Sequence, residues 1–204
     1  MNSNTPKAPK NSAEPKLVFY PVPRCASATI LTHLGFTPAN FPYMQVSTTL
    51  VKDYHFKYTA SFVRNPWERL LSAYAYYSLP GREGDYNGKL PSNFKNFVLN
   101  LEKNKEKCFV GCDFEIDANV SIKSHHIRPQ SFFLNAPCDF IGRVENLQKD
   151  INILARKIGV KPKDLTLNLR KTNHKNYKSY YETSTKKIVE KLYACDIDTF
   201  KYTF

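Results

Sequence analysis

An apolar stretch that passes directly into a helix start sets the frame for this chain. Tyr58 to Val63 reads as a short strand, and Arg64 ends it. Asn65 then offers an N-cap, Pro66 suits the first helical turn, and Glu68 completes an N-x-x-E capping box. Leu70, Leu71, Tyr74 and Tyr77 follow at helical spacing and supply an apolar face. This arrangement predicts a guanidinium at the carboxyl edge of a strand, with Ser72, two turns along, on the side that Arg64 faces. An arginine and a hydroxyl at such a junction meet the needs of a phosphate monoester: bidentate charge recognition and a further donor. The same residues also suit a surface arginine beside an ordinary amphipathic helix, and the rest of the chain has to weigh between the two.

The remaining apolar runs alternate in the same way. Leu17-Val18-Phe19-Tyr20 reads as a buried strand followed by the turn Pro21-Val22-Pro23, and Ile30, Leu31 and Leu34 suggest a short helix closing at Gly35. Residues 80–92, with Pro80, Gly81, Gly84, Gly88 and Pro91, form a loop that is a candidate to face substrate. Phe94, Phe97, Val98 and Leu101 mark a helix; Cys138 to Gly142 is a third apolar strand; Leu147, Ile151, Leu154 and Ile158 define a helix ending at Gly159. A basic linker around Lys171 leads to a last helix carrying Ile188, Val189, Leu192 and Tyr193. Strands alternating with helices predict an α/β fold with a parallel sheet covered on both faces, whose ligands bind beyond the carboxyl ends of the strands. No internal repeat interrupts the pattern.

A chain of 204 residues is most simply one domain, here 16–204, preceded by a polar, proline-bearing tail over 1–15 that reads as disordered. The formal charge is +12, which calls for an anionic partner such as nucleic acid, a phosphate-rich cofactor, an acidic glycan or a membrane surface. Cys25, Cys108, Cys112, Cys138 and Cys195 lack paired C-x-x-C spacing, so free thiols are favoured over zinc and no metal site is expected. Neither a signal peptide nor a membrane-spanning run is present, and no stable membrane insertion is expected. A complete chain of this kind is cytoplasmic; a truncated one could have lost an anchor that held it in a lumen.

The segment after the first strand, Tyr20 to Thr29, carries the second piece of chemistry. Cys25, Ala26, Ser27 and Ala28 have small side chains that let backbone N–H groups approach an anion, Ser27 and Thr29 offer hydroxyls, and Arg24 adds charge. The glycines and the G-K-[ST] ending of a nucleotide triphosphatase loop are missing. Paired with Arg64 and Ser72, this cradle makes two separated phosphate sites at neighbouring strand ends.

These two segments resemble the cofactor-binding blocks of PAPS-dependent sulfotransferases, in the membrane-associated and carbohydrate-type group. Residues 23–29 are similar to P-K-x-A-[GS]-[ST]-[ST], and 62–74 to F-V-R-[DN]-P-[FW]-x-R-L-x-S-A-Y. His126-Ile127-Arg128-Pro129-Gln130 with Cys138 to Leu147 resembles the H-[WF]-x-P-Q … D-F-[IV]-G-[RK]-x-E-x-L region, and Tyr180-Tyr181 … Tyr193 … Asp196 … Phe200 to Phe204 resembles the family's ending. The resemblance runs from about Leu17 to the end of the chain. It implies a three-layer sandwich with a central, mostly parallel sheet of the P-loop-like sulfotransferase type, PAPS as sulfuryl donor and PAP as product. It further implies a hydroxyl acceptor, a glycan in this group, with no nucleic acid and no metal. The oligomeric state is left open.

The resemblance also implies roles. Arg24 would neutralise charge on the leaving 5′-phosphate; Cys25, Ala26, Ser27, Ala28 and Thr29 would hold that phosphate; Arg64 and Ser72 would fix the 3′-phosphate. Arg24 stands where the family usually has lysine, and an arginine stabilises charge without giving up its proton. Ala28 replaces a common hydroxyl residue. The histidine or glutamate base that many relatives place between the two blocks is missing from Tyr43 to Ser47. His126 and His55 are the candidates for that base, His126 being equally suited to holding a loop. His33, His125 and His174 read as structural or surface residues. Glu145 reads as an anchor of the strand–helix junction, and Arg143 and Lys171 suit either a ligand contact or a solvated face. Two other classes remain: a catalytically silent PAP- or glycan-binding protein, and a basic nucleic-acid-binding module suggested by mingled Lys and Tyr between Lys171 and Tyr181.

Overall fold

A computed structural model describes residues 17–36, 58–82, 86, 89–105, 126–134, 137–166 and 175–204. The tail 1–15, His55, His125, Lys171, His174, Cys108, Cys112 and the Tyr43–Ser47 stretch lie outside the described residues.

Three parallel strands, β1 (Leu17–Tyr20), β2 (Tyr58–Val63) and β3 (Phe140–Arg143), form a sheet in the order β1-β2-β3. Tyr20 pairs with Ser61 and Phe62 with Gly142, so the carboxyl ends lie along one edge. Helices α1 (Ser27–His33) and α4 (Leu147–Lys157) send Ile30, Leu31, Ile151 and Leu154 into one core with Leu17, Phe19, Ala60 and Phe62. On the other face Val18 and Tyr20 pack against Leu134 and Cys138, and Val63 packs against Phe200 and Tyr202. Burial from both sides explains why β1 is apolar at every position instead of alternating.

Helix α1 closes where Gly35 was expected to end it. Gly35 takes φ +92°, its N–H donates to Thr32 O at 3.1 Å, and the Phe36 N–H donates to Leu31 O at 3.0 Å, the paired bonds of a Schellman closure. The third strand begins two residues later than its apolar run suggested. Asp139 is held at the strand entrance instead, accepting from the backbone N–H and the hydroxyl of Thr59, both at 2.7 Å. Within β3, Gly142 makes room for the Phe62 ring: a Cβ there would lie 2.4 Å from it.

Helix α2 (Pro66–Tyr77) starts as its residues predict, with Asn65 Oδ1 accepting from the N–H groups of Trp67 and Glu68. The expected return arm of the capping box is absent. Glu68 turns to Arg64 Nη2 at 3.0 Å, and Glu145 takes the Asn65 N–H at 2.5 Å. A carboxylate beside a guanidinium gains more than one capping a single amide, and Glu145 arrives from the end of β3 to serve as cap. Leu70, Leu71 and Tyr77 pack against α3 (Phe94–Lys103) and against Val189 of α5 (Thr183–Leu192) in a second core.

The last helix is two. α5 stops at Leu192 and α6 (Ala194–Phe200) follows a break at Tyr193, whose hydroxyl donates to Ile127 O at 2.5 Å. The break lets Asp196 turn inward, fully buried, where it accepts from the N–H groups of Gln130 at 2.7 Å and Ser131 at 2.9 Å. No helix of the described residues is long and apolar enough to cross a membrane.

Candidate active site

The loops leaving β1 and β2 meet at the carboxyl edge of the sheet. Ser61 Oγ donates to Tyr20 O at 2.8 Å, which stitches the two strand ends together where the loops begin. Arg24 and Ala26 both adopt left-handed backbone, with φ of 67° and 60°. For residues with a Cβ this costs on the order of 1 kcal/mol or more each, strain of a kind concentrated at functional loops. It is how the cradle turns tightly without glycine.

Arg24 lies across α2. Its Nε and Nη2 donate to Ser72 Oγ at 3.2 and 3.1 Å, and its guanidinium carbon sits 4.8 Å from the centre of the Tyr76 ring. Burial, then the nearby Arg64, lowers its pKa to about 10, so the group stays cationic at neutral pH. Ser72 therefore faces Arg24, which brings together residues expected to serve the two opposite ends of a nucleotide.

Arg64 is held by its backbone as much as by its side chain. Its N–H donates to Gln130 Oε1 and its carbonyl accepts from Gln130 Nε2, both at 2.8 Å. The fully buried amide of Gln130 thus prolongs the sheet by imitating a neighbouring strand. The Arg64 side chain reaches Arg24 O with Nη1 at 3.4 Å and Glu68 with Nη2 at 3.0 Å. Its Nε is buried and makes no hydrogen bond to the described residues.

The cradle residues divide between inside and outside. The Cys25 N–H donates to Val22 O at 3.2 Å, and its thiol donates to Gln130 Oε1 at 3.2 Å. Complete burial pushes that thiol up to about 12, which keeps it protonated and a donor. Ser27 Oγ reaches Val22 O at 3.5 Å, Thr29 is buried, and Ala28 offers only its backbone.

Arg69, between Arg64 and Ser72 in the sequence, also belongs to this cluster. It is 1% exposed, and it donates from Nε to Pro23 O at 2.9 Å and from Nη2 to His126 O at 3.3 Å. One side chain thereby ties the residue before Arg24 to His126. The only sequence signal for it is its place between Arg64 and Ser72 in one motif. His126 lies against Tyr76 and Tyr77, with ring centroids 4.5 and 5.7 Å apart, so Tyr76 is in contact with both Arg24 and His126.

Glu145 anchors the junction as expected, accepting from Asn65 N–H and, at 3.0 Å, from the Tyr202 hydroxyl. Arg143 belongs to that scaffold: its guanidinium donates to Phe200 O at 2.5 Å and covers the Tyr202 ring at 4.5 Å. His33 is structural, with Nε2 3.2 Å from Lys163 O. Among the described residues no group of three or more His, Cys, Asp or Glu could hold a metal ion.

The site thus collects three arginines, Arg24, Arg64 and Arg69, at parallel strand ends. Among the described residues only Glu68 forms an ion pair with any of them. Such an excess of fixed cations is suited to anionic groups. No curated protein and no solved structure matches the chain. A family model does, over residues 11–203, and its description is Sulfotransferase family. With nearly every residue inside that match and the α/β architecture in agreement with it, the chain belongs to the sulfotransferase family, whose chemistry is sulfuryl transfer.

Proposed function

We propose that this protein moves a sulfuryl group from PAPS to a carbohydrate hydroxyl by in-line displacement. The observation that carries the reading is the convergence of Arg24, Arg64 and Ser72 in one contact network at the carboxyl edge of the sheet. The donor set fits a nucleotide with phosphates at both ends. Two cationic side chains and a hydroxyl are present, and the buried Arg64 Nε is a donor that such an anion would engage. PAPS, when bound, supplies the sulfuryl group and departs as PAP.

The chain's own residues divide the remaining work. Arg24 stabilises negative charge at the leaving-group end, and a pKa of about 10 keeps it cationic at neutral pH. Ser72 holds the Arg24 guanidinium and adds a hydroxyl, while Arg64, fixed by Gln130, sets the register of the 3′-phosphate. His126, oriented by Tyr76 and Tyr77, takes the acceptor's proton. Positioning and charge stabilisation carry the reaction, as in phosphoryl transfer. The carbohydrate-type resemblance, together with a net charge of +12 that attracts acidic polymers, supports a glycan acceptor.

Calorimetry with PAP tests the cofactor half of this reading. Arg64→Ala should weaken PAP binding about tenfold or more, and His126→Ala should leave it near wild type while lowering turnover. Unchanged PAP affinity in Arg64→Ala would remove the 3′-phosphate assignment. PAP displaced from the wild type by single-stranded nucleic acid would favour the nucleic-acid module instead.

A further inference from the structure

Asn65, the residue after Arg64, is gripped on both its main chain and its side chain by one short segment, 202–204. The Tyr202 hydroxyl donates to Glu145 Oε2 at 3.0 Å, and Glu145 Oε1 accepts from the Asn65 N–H. Thr203 O accepts from Asn65 Nδ2 at 2.9 Å, which leaves Oδ1 facing the N–H groups of Trp67 and Glu68 that it caps. Phe204 fixes where that carbonyl stands. Its ring meets Trp67, Tyr177 and Tyr181 edge to face, each with centroids 5.5 Å apart, and the Lys186 ammonium lies 4.5 Å from its centre. The cage is braced in turn: Tyr181 donates to Trp67 O at 2.9 Å, and Trp67 Nε1 donates to Lys186 O at 3.2 Å. The Tyr177 hydroxyl, on a ring of the same cage, accepts from Asn65 Nδ2 at 3.5 Å.

We propose that Phe204 is a positioning residue for the anion site at Arg64, acting through Asn65. The inference rests on reading Arg64 as the 3′-phosphate contact and deepens it by naming what holds the guanidinium in place. Glu68 sits in the first turn of α2, and its carboxylate holds Arg64 Nη2 at 3.0 Å. That contact needs the turn to be formed, because residues four apart meet on a closed helical turn. The turn needs its cap, and the cap needs the Asn65 amide to keep Oδ1 toward α2. The Thr203 carbonyl imposes that orientation, since an amide turned the other way would set its oxygen against a carbonyl and its donors against N–H groups. Edge-to-face rings attract one another beyond the apolar area that they bury, so three such contacts make Phe204 the anchor of the segment.

Calorimetry with PAP and amide hydrogen exchange together test this role. Phe204→Ala, which empties the cage, should weaken PAP binding about fivefold or more, the scale set by loss of an N-cap. It should speed exchange of the Trp67 and Glu68 amides about tenfold while leaving that of Leu154 in α4 within about twofold. Phe204→Leu, which keeps an apolar side chain in the cage, should restore part of both. Asn65→Ser retains a capping oxygen but is too short to reach Thr203 O, so in that background Phe204→Ala should change PAP affinity less than about twofold. Ile158→Ala, which thins the core at the end of α4, is the control for lost stability alone. The positioning role is overturned if Phe204→Ala leaves exchange at Trp67 and Glu68 unchanged, loses no more PAP affinity than Ile158→Ala, or loses as much in Asn65→Ser as in the wild type. A wild type that binds no PAP, while exchange at Trp67 and Glu68 still answers to Phe204, would uphold the brace on α2 and count against the cofactor reading alone.

Discussion

Arg24 grips the Ser72 hydroxyl with two nitrogens, at 3.2 and 3.1 Å, across 48 residues of sequence. This contact couples the loop after the first strand to the helix after the second, so neither of the segments proposed to bind phosphate is set independently. Ser72→Ala should therefore act on both. A hydrogen bond to a charged group is worth about 1.5–3 kcal/mol, which corresponds to roughly ten- to a hundredfold in affinity. Titration of Ser72→Ala with PAP should show a loss in that range, and an affinity equal to wild type would mean that the contact is idle.

Gln130 should prove as important as the residues that it positions. Its side chain satisfies both the N–H and the carbonyl of Arg64 and accepts from the Cys25 thiol. In Gln130→Leu those buried groups lose their partners, at a cost of about 1–3 kcal/mol for each unsatisfied group. Urea denaturation should show that loss, and PAP binding should fall further than in a variant of equal stability altered far from the site. Gln130→Glu, which keeps an acceptor for the Arg64 N–H, should be milder than Gln130→Leu.

Much of this architecture could be read locally. The start of α2 is signalled by Asn65 and Pro66 because a cap is a contact between near neighbours, and the end of α1 by Gly35 for the same reason. The partners of Glu68 and of the Asn65 N–H are not legible in the sequence, because Glu145 arrives from 80 residues away and no pattern around Asn65 announces it. The break at Tyr193 was hidden because the apolar spacing continues through it, while the reason for the break is the burial of Asp196 against Gln130. Arg69 looks like the solvent face of a helix until the carbonyls of Pro23 and His126 are seen around it. Long-range satisfaction of buried polar groups, more than secondary structure, is what the one-dimensional pattern concealed.

Gly142→Ala should destabilise the sheet without touching the site chemistry. The added methyl would meet the Phe62 ring at 2.4 Å, inside the core formed with α1 and α4. Overpacking of this kind costs typically 1–3 kcal/mol. Combining it with Phe62→Leu should recover part of the loss, because the ring that blocks the methyl is gone. Thermal melts of the two single variants and the double variant check this, and additive losses would contradict the proposed clash.

The Cys25 thiol predicts a pH dependence. Burial raises it to about 12 in the folded protein, whereas in the unfolded chain it ionises near its ordinary value of 9.0. Above pH 9 the unfolded state has therefore released a proton that the native state keeps, so stability falls as pH rises toward 12. Denaturation followed from pH 8 upward should decline less steeply in Cys25→Ala than in the wild type. Thiol-labelling reagents should reach the exposed Cys195 and spare Cys25 in the native state.

Transfer of radiolabelled sulfate from PAPS to an acidic oligosaccharide, compared between the wild type and Arg24→Ala, tests the central claim most directly. The wild type should yield labelled glycan, and Arg24→Ala should lose at least about a hundredfold in turnover, as the removal of a transition-state charge contact requires. Firm PAP binding by the wild type without transfer to any acceptor, or equal transfer by both proteins, would contradict it.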